Sequence, residues 1–106
     1  YRESIEVDGV SIDEFIYRSG NPVPDILKID IEGGEIFALP GMIRLLGEAR
    51  PVLFIEMHGS EAVQAGWELL TGQNYQICRM VPDYPPINTL REEDWKSYWV
   101  GFPDGR

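Results

Sequence analysis

Two short apolar runs, each closing on carboxylates and glycine, constrain this chain more than any other feature. In Asp25-Ile-Leu-Lys-Ile-Asp-Ile-Glu-Gly-Gly-Glu35, Ile26, Leu27, Ile29 and Ile31 make a nearly continuous apolar stretch. Such a stretch predicts a strand buried on both faces, as strands of parallel sheets are. Side chains alternate across a strand, so Lys28, Asp30 and Glu32 share one side. Two carboxylates then stand at the carboxyl end of the strand, where open α/β sheets bind ligands.

The pattern returns in Val52-Leu-Phe-Ile-Glu-Met-His-Gly-Ser-Glu61. Its apolar run lies over Ile26 to Ile29, Glu56 over Asp30, His58 over Glu32, Gly59 over Gly33 and Glu61 over Glu35. This predicts two equivalent strand-turn-helix units. Set side by side, they gather Asp30, Glu32, Glu56 and His58, the only histidine of the chain, along one rim.

The remaining sequence reads as connections around these units. Ser4 to Val7 alternates as a short strand. Ser11 with Glu14 makes a capping box for a helix buried through Ile12, Phe15 and Ile16 and stopped near Ser19-Gly20. Asn21 to Pro24 is a linker. Glu35 to Leu39 allows about a turn of helix before Pro40, and a second helix buries Met42, Ile43, Leu45 and Leu46 and ends at Arg50-Pro51. Ser60 is the expected cap of a helix carrying Val63, Trp67 and Leu70 on one face, with Gly72 its stop. Tyr75 to Val81 reads as a third strand, Pro82 to Pro86 as a loop, Thr89 and Glu92 as a capping box for a short helix to about Trp95, and Ser97 to Phe102 as a last strand. Gly33, Gly34 and Gly59 stand where a strand turns sharply into a helix, a place for positive φ.

Composition narrows the function. The 106 residues suit one domain with a modest core. Eighteen acidic against nine basic residues, a net charge of −9, disfavour nucleic acid and other phosphate-rich partners. A single cysteine permits no internal disulfide, which fits a reducing, cytoplasmic setting. No apolar run approaches the ~20 residues of a membrane span, so no membrane partner is expected.

Lys28-Ile-Asp-Ile-Glu-Gly-Gly-Glu35, Leu39-Pro-Gly41 and Arg50-Pro-Val-Leu-Phe-Ile-Glu-Met-His58, with Val10-Ser-Ile-Asp13 upstream, carry a resemblance. Together they look like the C-terminal half of the FkbM family of methyltransferases, similar to other S-adenosylmethionine-dependent O-methyltransferases of Rossmann type. The resemblance implies an α/β fold: the C-terminal part of a Rossmann-like methyltransferase sheet, parallel strands with an antiparallel last strand. It also implies that residues 1–106 form a single partial domain, because the family's glycine-rich cofactor loop and its ribose-binding acid lie N-terminal to these motifs. The chain alone is then expected to be inactive, to bind S-adenosylmethionine weakly, and to self-associate through the exposed edge of the Ile26 to Ile31 strand.

The implied reaction is methyl transfer to a hydroxyl of a small molecule or sugar. Asp30 and Glu32 would face cofactor or substrate, and Glu56 and His58 the reacting hydroxyl, with His58 as its base because its reference pKa of about 6.5 is close to working pH. Alternatives stand beside this. The four residues could hold a divalent metal such as Mg, Mn or Zn. They could serve a Mg-dependent phosphoryl-transfer or hydrolytic enzyme, though the rim lacks the Lys and Arg that phosphates need. The chain could also be a non-catalytic binding or assembly module. In plainer structural terms, Asp30 could pair with Lys28, Glu32 accept turn N–H groups, Glu35 and Glu61 favour helix N-termini, and Tyr84 pack as a loop aromatic.

Overall fold

Strand register decides whether the two repeated units lie side by side. The computed structural model describes residues 9–30, 38–91, 94 and 96–104 of the chain. In it, strand β1 (Ile26–Ile29) pairs in parallel with β2 (Val52–His58), Ile26 opposite Val52 and Ile29 opposite Ile55. This is the offset at which the two sequence patterns superpose. Strands β3 (Tyr75–Arg79) and β4 (Lys96–Pro103) complete a four-stranded mixed sheet of order β1-β2-β4-β3. β4 enters between β2 and β3 and runs antiparallel to both, as expected of the last strand.

Helical segments connect the strands: a 3-10 turn (Leu39–Met42) that runs into α1 (Ile43–Glu48), and then α2 (Ser60–Gly72). Pro40 sits at the start of the 3-10 turn, where its missing N–H costs no hydrogen bond. Leu39, Met42, Leu45, Leu46, Val63 and Leu70 from these segments bury Ile29, Leu53, Ile55, Met57, Ile77 and Trp99 of the sheet. Trp67 of α2 meets Trp99 edge-on, ring centroids 6.2 Å apart.

The opposite face is far more open at β1 and β4. Ile26 keeps 62% of its surface and Tyr98 keeps 56%. The expectation that the Ile26 strand is buried on both faces is therefore corrected. β1 is the edge of the described sheet, and only its Ile29 side is sealed. Ile31 and the expected strand from Ser4 to Val7 lie outside the described residues.

Other local expectations are met in part. Ser11 Oγ accepts the Glu14 N–H at 3.1 Å, one half of the capping box. The helix then widens to π form over Glu14–Arg18. Its longer turn spoils the three-to-four spacing, so Ile16 is buried while Phe15 remains about half exposed. Ile43, expected in the core, is exposed, because the change from 3-10 to α geometry at that residue turns it outward. Gly59 rather than Ser60 occupies the cap position of α2, and no side chain caps it. β3 ends at Arg79 rather than Val81. Glu92 and Trp95, which define the expected short helix, lie outside the described residues, and Thr89 is in a bend.

Three polar ties, none anticipated, hold the connections. Asp13 accepts the N–H groups of Arg44 and Leu45 at 2.8 and 2.9 Å, joining the first helix to the start of α1. Asp94, fully buried, takes a two-pronged interaction from Arg79 together with the N–H of Arg91. Arg50 sits just past α1 at φ 53°, with Pro51 next. Its guanidinium donates to the carbonyls of Leu46, Gln73, Asn74 and Asp104 at 2.9 to 3.2 Å, and so joins the ends of both α-helices to the end of β4. A cation on helix C-terminal carbonyls also meets the negative end of the dipole.

Arg50→Ala should lower unfolding stability by about 2–4 kcal/mol, as several charge-assisted hydrogen bonds are lost. Arg50→Gly should lose less, because glycine accepts the left-handed backbone without strain. Urea denaturation checks both, and a fully stable Ala variant would show that the four-carbonyl contact is not structural.

Candidate functional site

Asp30 follows the last residue of β1, and the parallel register carries it alongside Glu56 on β2. Glu56 and His58 are two residues apart on that strand, hence on the same side. His58 Nε2 lies 3.1 Å from Glu56 Oε1, and the two side chains keep only 16% and 14% of their surface. Asp30, Glu56 and His58 each bring one donor atom within 4.8 Å of the others. Three of the four rim residues read from the sequence are thus brought together, and Glu32 lies outside the described residues.

An open cleft of about 510 Å³ lies against this cluster, with Asp30 and Glu56 in its wall beside Ile26, Lys28, Phe54 and Tyr98. The sequence did not single out Phe54 and Tyr98. Phe54 shares the Glu56 side of β2, a signal available from alternation alone. Tyr98 stands opposite Glu56 only because β4 pairs in that register, which no local pattern announces. Tyr84, about half exposed, meets Phe102 edge-on with ring centroids 6.3 Å apart. Glu61 is exposed in the first turn of α2, where the helix dipole accounts for it, and Glu35 is outside the described residues.

The strand-to-helix turn after His58 is set by Gly59, at φ 90° and ψ 157°. That backbone is essentially closed to residues with a Cβ. It lets the chain leave β2 immediately after His58 and enter α2 at Ser60, leaving the Glu56–His58 pair at the strand's end.

The model of the methyltransferase FkbM domain matches residues 1–83. The chain belongs to the FkbM methyltransferase family. No curated protein and no solved structure matches it. In this FkbM chain the matched region includes both repeated sequence patterns, with Asp30, Glu56 and His58, and it ends before β4, the strand that supplies Tyr98. No helix among the described residues is long and apolar enough to cross a membrane.

Gly59→Ala tests the turn. A Cβ there has open space around it, so the cost is backbone strain alone, about 1–3 kcal/mol. Thermal or urea unfolding should show that loss, and a neutral substitution would mean that the turn tolerates an ordinary residue.

Proposed function

We propose that this FkbM chain is the acceptor-side portion of an S-adenosylmethionine-dependent O-methyltransferase, the C-terminal half of its domain, acting on a hydroxyl of a small molecule or sugar. The observation that carries the reading is the meeting of Asp30, Glu56 and His58 at the carboxyl ends of two parallel strands, beside an open cleft, in a chain of a methyltransferase family. Ligands of open α/β sheets bind at such ends.

The donor set suits the cofactor chemically, since carboxylates at strand ends can accept from ribose hydroxyls and favour a sulfonium charge. Asp30 and Glu32 would face it or the acceptor. S-adenosylmethionine, when bound, supplies an electrophilic methyl group, and the remaining work falls to the chain's own residues. They must hold the acceptor oxygen in line and ease the loss of its proton. His58 and Glu56 form the proton-removing centre: the neutral imidazole takes the proton, and the carboxylate 3.1 Å away stabilises the imidazolium that results. Phe54 and Tyr98 give the cleft apolar surface on which a ring or chain of the acceptor can rest.

In an active protein carrying these residues, His58→Ala should lower kcat by about 10²-fold or more, the scale of lost acid-base assistance, with cofactor affinity nearly intact. Product formation measured against hydroxylated acceptors checks this. Unchanged turnover removes His58 from the reaction.

A further inference from the structure

Hydrogen-bond parity fixes which backbone groups of β1 point away from the sheet. The Val52 N–H donates to the Asp25 carbonyl at 2.9 Å, with Ile26 opposite Val52 in the parallel register. Residues that bond to a neighbouring strand alternate with residues that face the other way. Leu27 and Ile29 therefore turn their N–H and C=O groups to β2, while Ile26 and Lys28, and Asp30 one step on, turn theirs outward. Among the described residues no strand meets that outer edge. The side chains on these outward residues are as open as the backbone: Ile26 keeps 62% of its surface, and Lys28 and Asp30 are exposed. An unpaired edge of this kind is a template for another strand.

Charge then selects the partner and the register. Two copies related by a two-fold axis normal to the sheet meet edge to edge as antiparallel strands. Their hydrogen bonds form only where outward-facing residues stand opposite outward-facing residues. Setting Lys28 against Lys28 brings like charges together, and setting it against Ile26 leaves the charge unmatched. Setting it against Asp30 makes, by symmetry, two opposite-charge pairs across the new ladder. Lysine on an edge strand ordinarily deters pairing. Here, with Asp30 two residues on, it deters the first register and favours the last. We propose that a second copy of this chain adds antiparallel to β1, with Lys28 opposite Asp30 in both directions, so that one sheet runs through two protomers. The partner's Lys28 then stands beside Asp30 in the wall of the cleft, so each copy contributes a cation to the other's rim. This pairing holds whether or not the rim transfers methyl groups.

Analytical ultracentrifugation of the 106-residue chain should show a reversible monomer–dimer equilibrium. Salt of about 0.15 M, with a Debye length of about 8 Å, screens the repulsion between two chains of net charge −9. Lys28→Glu and Asp30→Lys each turn both cross-strand pairs into like charges and should weaken the dimer by about tenfold or more. The double variant carrying both changes restores opposite charges and should bring dimerisation back to within about threefold of the original. Asp30→Lys makes the chain less acidic, so net charge alone would strengthen association rather than weaken it. Glu61→Lys, the same charge change on the exposed part of α2, should not weaken the dimer, and circular dichroism confirms that each variant is folded. A chain that stays monomeric to millimolar concentration overturns the proposal. Association that Asp30→Lys strengthens, or that the double variant fails to restore, overturns it equally.

Discussion

The parallel ladder between β1 and β2 is the constraint on which the rest of the structure depends. Because side chains alternate strictly, a slip of one residue would send Asp30 to the opposite side from Glu56 and expose the apolar residues that seal the core. In the observed register, Ile29 lies opposite Ile55, and the next step along β1 carries Asp30 past the core toward Glu56. The same pairing therefore buries Ile29, Ile55 and Met57 under the helices and assembles the polar rim on the other side. Stability and candidate chemistry share one register.

That register is held from its far end. Arg50 lies immediately before Pro51 and β2, and its guanidinium joins α1, the end of α2 and the end of β4. Tyr75 donates its hydroxyl to the Pro51 carbonyl at 2.6 Å from the start of β3. Gly41 passes so close to Ser11 that an added Cβ would lie 2.9 Å from the Ser11 Cβ, which fits the first helix against the 3-10 turn. These contacts gather at the connections and leave the carboxyl ends of β1 and β2 open beside the cleft. The division is physically sensible: a rim that must admit ligands cannot also be closed by packing, so its precision has to come from a rigid support elsewhere.

Much of the site was legible because it lies within single strands or between equivalent strands. Glu56 and His58 share a side by alternation alone, and Asp30 joins them because the repeat offset and the strand register coincide. The helical core was legible in Leu45, Leu46, Val63 and Leu70, and less so in Phe15 and Ile43, where π and 3-10 geometry altered the angular spacing on which the reading relied. Ser60 misled for a related reason. A serine before a helix resembles a cap, but the backbone angles of Gly59 place the boundary one residue earlier.

The sequence by itself determined the identities and spacing of the rim residues, the repeated pattern of β1 and β2 and the family to which they belong, all properties of contiguous residues. Tertiary structure alone decided that β4 inserts between β2 and β3, that Tyr98 faces the rim, and that Arg50 binds carbonyls from three separate segments. It also decided that β1 stands at the edge of the described sheet with Ile26 open to solvent, although its apolar run predicts burial on both faces. The reason is the range of the forces involved. Alternation and turn chemistry act over a few residues and leave marks in order, whereas pairing across a sheet depends on which distant segments bury the same face together.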